Sequence, residues 1–240
     1  RSQFGDCGKG KIVSQLSKDY DLCFRFNGSN NAGHTVVINN KQYKTNLVPS
    51  GVFHNIPGLI GPGCALNVEA FYQELEYLKS NGIDASNVFV HPNCHIITDE
   101  HIKRDKEEFA KKLGTTSKGV GPCYSDKYLR TGLQAKNILP KELLWDQELK
   151  GKLLGEAAQG YWLDIDQSIN YPYVTSSNTL PYAACSIGFA PQYIRRIFSA
   201  LKPYETRSGE DPDFPDSLLN DPVLSRLGDI GKEYGTVTKR

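Results

Sequence analysis

The chain has 240 residues, of which 39% are hydrophobic and 10% aromatic, and its formal net charge is +1 at pH 7. This length and apolar content predict one large folded domain, and the balanced charge argues against a general attraction to nucleic acids or membranes. No apolar stretch is long enough to span a bilayer, and the six cysteines are dispersed without a CxxC pair. Reduced thiols, and hence a cytoplasmic protein, are the simpler interpretation.

A glycine-rich segment near the start of the chain, QFGDCGKGK at residues 3–11, carries the strongest signal. Glycines let backbone N–H groups crowd around a phosphate, and a helix predicted directly behind them adds free donors and partial positive charge. Lys9 can meet phosphate charge. Asp6 has the wrong sign for that task, so it is a candidate for holding Mg²⁺ or for taking a proton from a substrate. The spacing differs from a Walker A loop, and a solvated surface turn is the alternative.

Downstream of this loop, apolar patterns predict strands and helices in alternation. Strands are predicted over residues 21–27 and 88–91, a hairpin over 34–47, and helices after Asn67, over 98–112 and from Pro191 onward. In the last helix, Ile194, Ile197, Phe198 and Leu201 are expected to face inward, and residues 203–230 are expected to form a long ordered loop. The alternation predicts an α/β fold, with a mostly parallel central sheet flanked by helices in a phosphate-loop-like nucleotide fold.

A second polar loop, NGSNNAGHT at residues 27–35, combines glycines with asparagines that offer both donors and acceptors. His34 stands at its end. An imidazole there can protonate an oxygen or stabilise its developing charge near neutral pH. The alternative is a satisfied histidine at the start of a strand.

Further polar segments follow. GTTSKGVGP at residues 114–122 is typical of an oxyanion or phosphate clamp, which Arg130 can complete with bidentate geometry. A flexible turn is the alternative. Within residues 156–179, Gln159 can read a base edge and Thr175 can bind a phosphate oxygen, while Asp164 and Asp166 either hold a metal ion or are solvated. Hydroxyls and cations in GTVTKR, at residues 235–240, suit an anionic substrate or form a solvated tail.

These segments together resemble the adenylosuccinate synthetase family. The matching segments, in order along nearly the whole chain, are QFGDCGKGK, NNAGHT, GTTSKGVGP, AQG, YPYVTSSNT, ETRSG and EYGTVTKR. The family couples GTP hydrolysis to the joining of L-aspartate onto inosine monophosphate (IMP), with Mg²⁺. The resemblance therefore implies a homodimeric ligase whose partners are a purine monophosphate, a nucleoside triphosphate and L-aspartate. It also implies that residues 1–240 form a single catalytic domain without the family's C-terminal guanine-binding part.

The resemblance also implies a role for each matching residue. Asp6 matches the catalytic base, which takes the purine N1 proton and contacts Mg²⁺, and His34 matches the general acid that helps the γ-phosphate move onto the purine O6. Gln159 joins this catalytic group, and the backbone carbonyl of Gly33 matches a Mg²⁺ ligand. The implied nucleotide contacts are Gly5, Cys7, Gly8, Lys9, Gly10, Lys11, Asn31, Ala32, Gly33, Thr35, Thr116, Arg130, Thr175 and Arg240. The implied aspartate-binding residues are Thr236, Val237, Thr238 and Lys239. Arg130 matches an arginine lent across the dimer interface.

Some positions depart from the family's pattern and leave alternatives open. Cys7 stands where the family usually has Glu, and Lys239 stands where it usually has Gly. A phage-type relative uses dGMP with ATP as donor, but it often lacks the aspartate at the position of Asp6, so the presence of Asp6 favours the IMP enzyme. Alternatives of another class are a non-catalytic nucleotide-binding module and a plain phosphate-loop nucleoside triphosphatase.

Overall fold

The computed structural model describes residues 3–5, 7–204, 206–207 and 214–231. Its strands are β1 (Leu22–Arg25), β2 (His34–Ile38), β3 (Lys41–Thr45), β4 (Gly58–Ile60), β5 (Ala65–Leu66), β6 (Val88–Val90), β7 (His95–Ile96) and β8 (Leu153–Glu156). Its α-helices are α1 (Lys9–Ser17), α2 (Val68–Ser80), α3 (Asp99–Arg104), α4 (Ala110–Leu113), α5 (Val120–Leu129) and α6 (Pro222–Gly231). No helix in these ranges has the length and apolar character needed to cross a bilayer.

The central sheet has the strand order β6-β4-β1-β8, and each neighbouring pair is parallel. Every residue of β1 is buried, as expected for a parallel strand covered on both faces. Phe24 packs within one apolar cluster, with Leu59 and Ile187 among its members. The α/β fold with a mostly parallel sheet is therefore confirmed.

The carboxyl ends of β1 and β8 lie side by side. Arg25 and Glu156 are the last residues of their strands, and they are partners in the parallel register. Because both strands run in the same direction, the loops that follow them leave from one edge of the sheet. That edge is where open α/β sheets bind their ligands, and it brings residues 27–33 next to residues 157–160.

The local predictions that rest on capping and turn signals are confirmed. Asn67 caps α2 by accepting a hydrogen bond from the N–H of Ala70 at 2.8 Å. Strands β2 and β3 form the expected hairpin. Thr98 begins α3 with a capping box, a π-helical stretch covers residues 105–109, and Gly114 ends α4 with a φ of 59°.

The helix expected from Pro191 is wrong. Only a 3-10 turn forms, at Pro191–Tyr193, and the chain continues without helical hydrogen bonds. Ile197, Phe198 and Leu201 are 64%, 50% and 58% exposed, so they do not face inward. A short amphipathic helix depends on apolar surface to pack against, and no core covers these side chains within the described residues.

The long loop expected over residues 203–230 is wrong in its later part. Residues Asp216–Leu218 form a 3-10 turn, and α6 begins at Pro222. The Asp221 carboxylate accepts hydrogen bonds from the N–H groups of Val223 and Leu224. Aspartate as the cap followed by proline at the first helical position is a readable start signal. Residues 205 and 208–213 lie outside the described residues.

Candidate active site

The glycine-rich loop leads directly into α1, as the sequence predicted. Gly8 precedes the helix with a left-handed φ of 74° and, within the described part of the chain, makes no side-chain capping hydrogen bond. The N–H groups at the start of a helix and the helix dipole both favour an anion there. Asp6 lies outside the described residues.

The backbone of this loop touches the segment that follows β8. A Cβ atom added to Gly160 would lie 1.9 Å from the carbonyl oxygen of Gln3 and 2.3 Å from the nitrogen of Gly5. Only glycine fits such an approach. Gln159, the preceding residue, adopts a left-handed φ of 56°, which is uncommon for a residue with a side chain and often marks functional sites.

His34 forms a buried pair with Glu156. His34 is 4% exposed and Glu156 is 0% exposed, and the Nδ1 atom of the histidine contacts Oε1 of the carboxylate. Ser50 holds the same carboxylate: its N–H donates to Oε2 at 2.8 Å and its hydroxyl donates to Oε1 at 2.8 Å. Nε2 of His34 has no hydrogen-bonding partner among the described residues and remains available for a ligand.

The pKa values of the pair show which groups are charged. Burial by itself would raise the pKa of Glu156, but His34, the nearby charge of Arg25 and the Ser50 N–H together lower it to about 2. Burial lowers the pKa of His34, and Glu156 only partly offsets this effect. The free protein at neutral pH thus holds an ionised carboxylate beside a neutral imidazole. The carboxylate can only accept a hydrogen bond, so Nδ1 carries the ring proton.

Acid should weaken the fold through Glu156. Its pKa is about 2 in the folded protein against an ordinary 4.5, so its contribution to stability is complete above pH 4.5 and is lost as the pH falls towards 2. A shift of this size corresponds to roughly 3 kcal/mol of unfolding free energy. Urea unfolding between pH 2.5 and 6 should show a smaller loss in Glu156→Gln than in the wild type.

Glu74→Gln provides the control for this measurement. Glu74 is 8% exposed, and burial raises its pKa. A carboxyl with a raised pKa increases the free energy of unfolding as the pH falls towards 4.5, and it has little further effect below that pH. Removing Glu74 should therefore leave the pH dependence of the unfolding free energy below pH 4.5 unchanged. An acid loss in Glu156→Gln as steep as that of the wild type would contradict the assignment.

A chain of hydrogen bonds joins three of the predicted site residues. Gln159 accepts from the Asn27 amide at 3.3 Å and donates to Oδ1 of Asn31 at 3.4 Å. The Asn27 amide is also 3.5 Å from the hydroxyl of Ser177, which is 3.5 Å from the hydroxyl of Thr175. The structure therefore brings Asn31, Gln159 and Thr175 together, through Asn27 and Ser177.

Thr116 occupies a different cavity. It lines a polar space of about 420 Å³ with Asn30 and Lys118. The buried carboxylate of Asp105 shapes the loop around it, accepting from the Thr115 hydroxyl at 2.7 Å and from the Gly119 N–H at 2.8 Å. The structure does not bring Thr116 into one pocket with Lys9 and Gln159.

A wide groove of about 1410 Å³ runs beside the glycine-rich loop, and its lining includes Cys7, Lys9 and Gln159. Apolar side chains, Phe24 and Leu154 among them, also line it. Nucleotide sites commonly combine an apolar wall with a few polar groups, so this groove suits a base and its phosphates.

The remaining predicted residues take the following positions. Gly10 packs against the pair, because a Cβ atom there would lie 2.8 Å from Cβ of His34. The Ala32 carbonyl accepts from the Asn46 amide at 2.6 Å. Exposed residues are Lys11, Gly33, Thr35 and Arg130. Thr236, Val237, Thr238, Lys239 and Arg240 lie outside the described residues.

The residues expected to hold a metal ion fit that role by their chemistry. Gly33 is exposed, and among the described residues the Asn46 amide nitrogen, at 4.0 Å, is the one side-chain atom within 4 Å of a Cβ built there. A backbone carbonyl and a carboxylate are hard oxygen donors of the kind that Mg²⁺ takes.

Sequence reasoning missed several residues that organise this site. Glu156 follows the run LLG directly before AAQG, and a charged residue at the carboxyl end of a buried strand was an available signal. The sequence pattern predicts a metal ligand or a solvated side chain at Asp164. It is instead 0% exposed and accepts from the N–H groups of Asp166, Gln167 and Thr179, so it organises the loop.

A phosphate-ready helix start, an amide network and a buried histidine–carboxylate pair at the carboxyl edge of a parallel sheet define a nucleotide-binding α/β protein with catalytic groups. The model of the adenylosuccinate synthetase family matches residues 2–151 and 142–240. The chain belongs to the adenylosuccinate synthetase family.

Individual relatives agree with this assignment. The chain is similar to the adenylosuccinate synthetase of Malacoplasma penetrans, with 38% identity over 295 residues, covering 100% of the chain and 69% of the relative. It is 39% identical over 297 residues to the enzyme of Lactobacillus gasseri, covering 100% of the chain and 68% of that relative.

Solved structures agree on the fold. The fully ligated adenylosuccinate synthetase from Plasmodium falciparum matches with a TM-score of 0.85 and 31% identity, over 99% of this chain and 68% of that one. The succinoaminodeoxyadenylate synthetase of cyanophage S-2L, bound to dGMP and dATP, matches with a TM-score of 0.74 over 89% of this chain and 68% of that one. Its 21% identity supports the shared fold alone.

The alignments also show where the chain is shorter than its relatives. They run over 295 and 297 positions, against 240 residues in the chain, so the relatives carry internal residues without a counterpart here. The two matches of the family model overlap at residues 142–151, which places one junction there. Leu149 and Leu153 line the wide groove beside this junction.

Proposed function

We propose that the protein is a purine nucleotide ligase that joins L-aspartate to IMP, with hydrolysis of GTP, to form adenylosuccinate. The observation that carries the proposal is the His34–Glu156 pair, which lies against the start of α1 through Gly10. A plain nucleoside triphosphatase needs no imidazole beside its phosphate loop. A transfer of phosphate onto a purine oxygen does, because charge develops on that oxygen and on the phosphoryl group.

The chemistry requires a base and an acid on opposite sides of the reacting bond. Oxygen O6 of the purine is a poor leaving group, so it is first phosphorylated and then displaced by the amine of aspartate. Asp6 removes the N1 proton, which makes O6 nucleophilic. His34 meets the transferred phosphoryl group through Nε2. The charge of bound phosphates raises the pKa of an imidazole nearby and so favours its protonated form. Adenylosuccinate, GDP and inorganic phosphate leave the enzyme.

The other predicted residues bind and orient the substrates in this proposal. The glycine-rich loop with Lys9 holds the phosphates, and Gln159 contacts the purine from its strained backbone position. Asp6 and the backbone carbonyl of Gly33 would hold Mg²⁺, whose charge would offset that of the phosphates. The protein acts in the cytoplasm, as a homodimer in which Arg130 reaches the neighbouring site.

Aspartate is proposed to bind at the loop of residues 235–240. A dicarboxylate needs cations for its charge and hydroxyl or N–H donors for its geometry, and Thr236, Thr238, Lys239 and Arg240 supply both kinds of group. Thr238→Ala should raise the KM for aspartate about 10-fold, the scale of one lost hydrogen bond to a charged group. The KM for IMP should stay within about twofold, since the purine contacts are intact. Steady-state kinetics with each substrate varied in turn measures both constants. A rise confined to the KM for IMP would move this loop to the purine site.

A substrate panel tests the proposed function itself. The purified protein is incubated with IMP or dGMP, with GTP or ATP, and with or without aspartate, and the products are identified by mass spectrometry. Adenylosuccinate formed only when IMP, GTP and aspartate are all present supports the proposal. A succinylated product from dGMP and ATP would assign the phage-type reaction, and nucleotide binding without any product would assign a non-catalytic module.

A further inference from the structure

Both carboxylate oxygens of Glu156 have hydrogen-bonding partners within the protein. Oε1 faces the His34 ring and the Ser50 hydroxyl, and Oε2 accepts the Ser50 N–H at 2.8 Å. Arg25, its register partner on β1, is 1% exposed and supplies the nearby positive charge. Burying a carboxylate costs several kcal/mol unless such partners compensate. The site therefore maintains an ionised acceptor at a fixed place beside one ring nitrogen of His34.

Glu74 shows what a purely structural buried glutamate does in this protein. It is 8% exposed, and it accepts from the backbone N–H groups of Asn46, Leu47 and Val48 at 2.9–3.0 Å. All its hydrogen bonds go to one stretch of backbone. Glu156, in contrast, uses one carboxylate oxygen to bind His34, a side chain that faces the proposed ligand site.

We propose that Glu156 is a positioning residue that locks His34 in the Nδ1–H tautomer and fixes its ring, so that Nε2 is the atom presented to substrate. The statement that Nε2 meets the substrate rests on the function proposed above. The effect of Glu156 on the His34 tautomer is independent of that function. A carboxylate accepts and never donates, so its hydrogen bond requires the proton at Nδ1. The neighbours confine the ring as well, because Gly10 of α1 leaves no space for a side chain beside it. Histidine–carboxylate pairs elsewhere control which ring nitrogen reacts in this way.

Glu156→Gln gives a directional test. The amide oxygen can accept a hydrogen bond from the Ser50 N–H, and the amide nitrogen then faces His34. Alternatively, the amide oxygen faces His34, and the amide nitrogen then lies against the Ser50 N–H. A backbone N–H buried against an amide NH₂ is costly, so the oxygen should turn to Ser50 and the NH₂ to Nδ1. His34 must then accept at Nδ1 and carry its proton at Nε2.

Nuclear magnetic resonance reads this change without any catalytic assay. In ¹⁵N-labelled protein, the His34 ring signals are assigned by their loss in His34→Asn. The wild type should show a protonated Nδ1 and a bare Nε2, and Glu156→Gln should show the reverse. A wild-type ring protonated at Nε2, or a tautomer unchanged in Glu156→Gln, would overturn the proposal. The wild-type spectrum decides this point even if the variant does not fold.

Kinetics then tests whether Glu156 acts through His34. Glu156→Gln should lower kcat by ~100-fold, between the usual loss for an outer-shell partner and that for a wrong tautomer, with the KM for the nucleotides within about twofold. Once His34 is replaced by asparagine, adding Glu156→Gln should lower kcat by less than about threefold, because the two residues form one unit. If kcat of the double variant falls by the product of the two single-variant factors, the positioning role is contradicted.

Glu74→Gln is the matched control for a lost buried carboxylate. It should lower the melting temperature but change kcat by less than about threefold, and its effect should multiply with that of His34→Asn, as expected for independent sites. If the protein forms no adenylosuccinate at all, the proposed function fails. The tautomer measurement still decides the role of Glu156 in that case.

Discussion

Replacing Asp6 with asparagine is expected to lower kcat at least ~100-fold, the usual scale for the loss of a general base. Asp6 is the only carboxylate within residues 3–11, and Gly5 beside it packs against the backbone of Gln159 and Gly160. Asparagine keeps the size of the side chain but cannot take a proton. Without removal of the N1 proton, O6 of the purine is a poor nucleophile, and the oxygen set for Mg²⁺ is weakened at the same time.

Steady-state kinetics and the melting temperature together check this prediction. Asp146→Asn is the matched control, because it removes an exposed carboxylate outside the predicted site and should leave kcat unchanged. The melting temperature of Asp6→Asn should stay close to that of the wild type, which separates lost chemistry from lost folding. Near-normal turnover in Asp6→Asn would remove the base assignment and leave His34 without its chemical counterpart.

Arg130→Leu is expected to raise the KM for nucleotide by ~10- to 100-fold, as the loss of a charge-assisted hydrogen bond would. Arg130 follows α5 with a left-handed φ of 67° and is exposed, and its neighbours Tyr128 and Leu129 are 75% and 66% exposed. Adjacent exposed apolar side chains often mark an interaction surface, which supports the proposal that Arg130 serves a neighbouring subunit. Arg226→Leu, which removes an exposed arginine from α6, is the control.

Mixing Arg130→Leu with Asp6→Asn, at a nucleotide concentration well below the raised KM of Arg130→Leu so that neither variant alone has appreciable activity, tests whether the site is shared. In a heterodimer of Arg130→Leu and Asp6→Asn subunits, one of the two sites receives both intact residues. With free subunit exchange, half of the dimers are mixed, so the recovered activity should reach ~25% of the wild type. Native mass spectrometry confirms the exchange. No recovery despite complete exchange would show that each site is built from one chain.

Sequence reasoning succeeded where a signal is local. The glycine spacing of residues 3–11 predicted a phosphate loop with a helix behind it, and the structure has Gly8 in the left-handed region directly before α1. The cap at Asn67 needed only its neighbours for the same reason. Such features depend on the conformational preferences of a few consecutive residues, which the sequence states directly.

Local patterning failed where burial depends on distant parts of the chain. The apolar period after Pro191 is real, but Phe198 is 50% exposed because no surface from elsewhere covers it. Conversely, Asp164 looked like a surface residue, and it is buried because Thr179 returns to bind it. Helical pattern and polarity describe what a segment can do, whereas packing partners decide what it does.

The sequence by itself determined the family, the α/β class and the segments that carry chemistry. Glycine-rich loops and their polar neighbours can be recognised from consecutive residues alone. Only the tertiary structure decided which of those segments meet. Glu156 lies 122 positions from His34, and the two touch because β8 pairs with β1 in parallel register and brings its last residue to the hairpin that begins with His34. The contact between His34 and Glu156 is therefore a product of strand order, which no local pattern records.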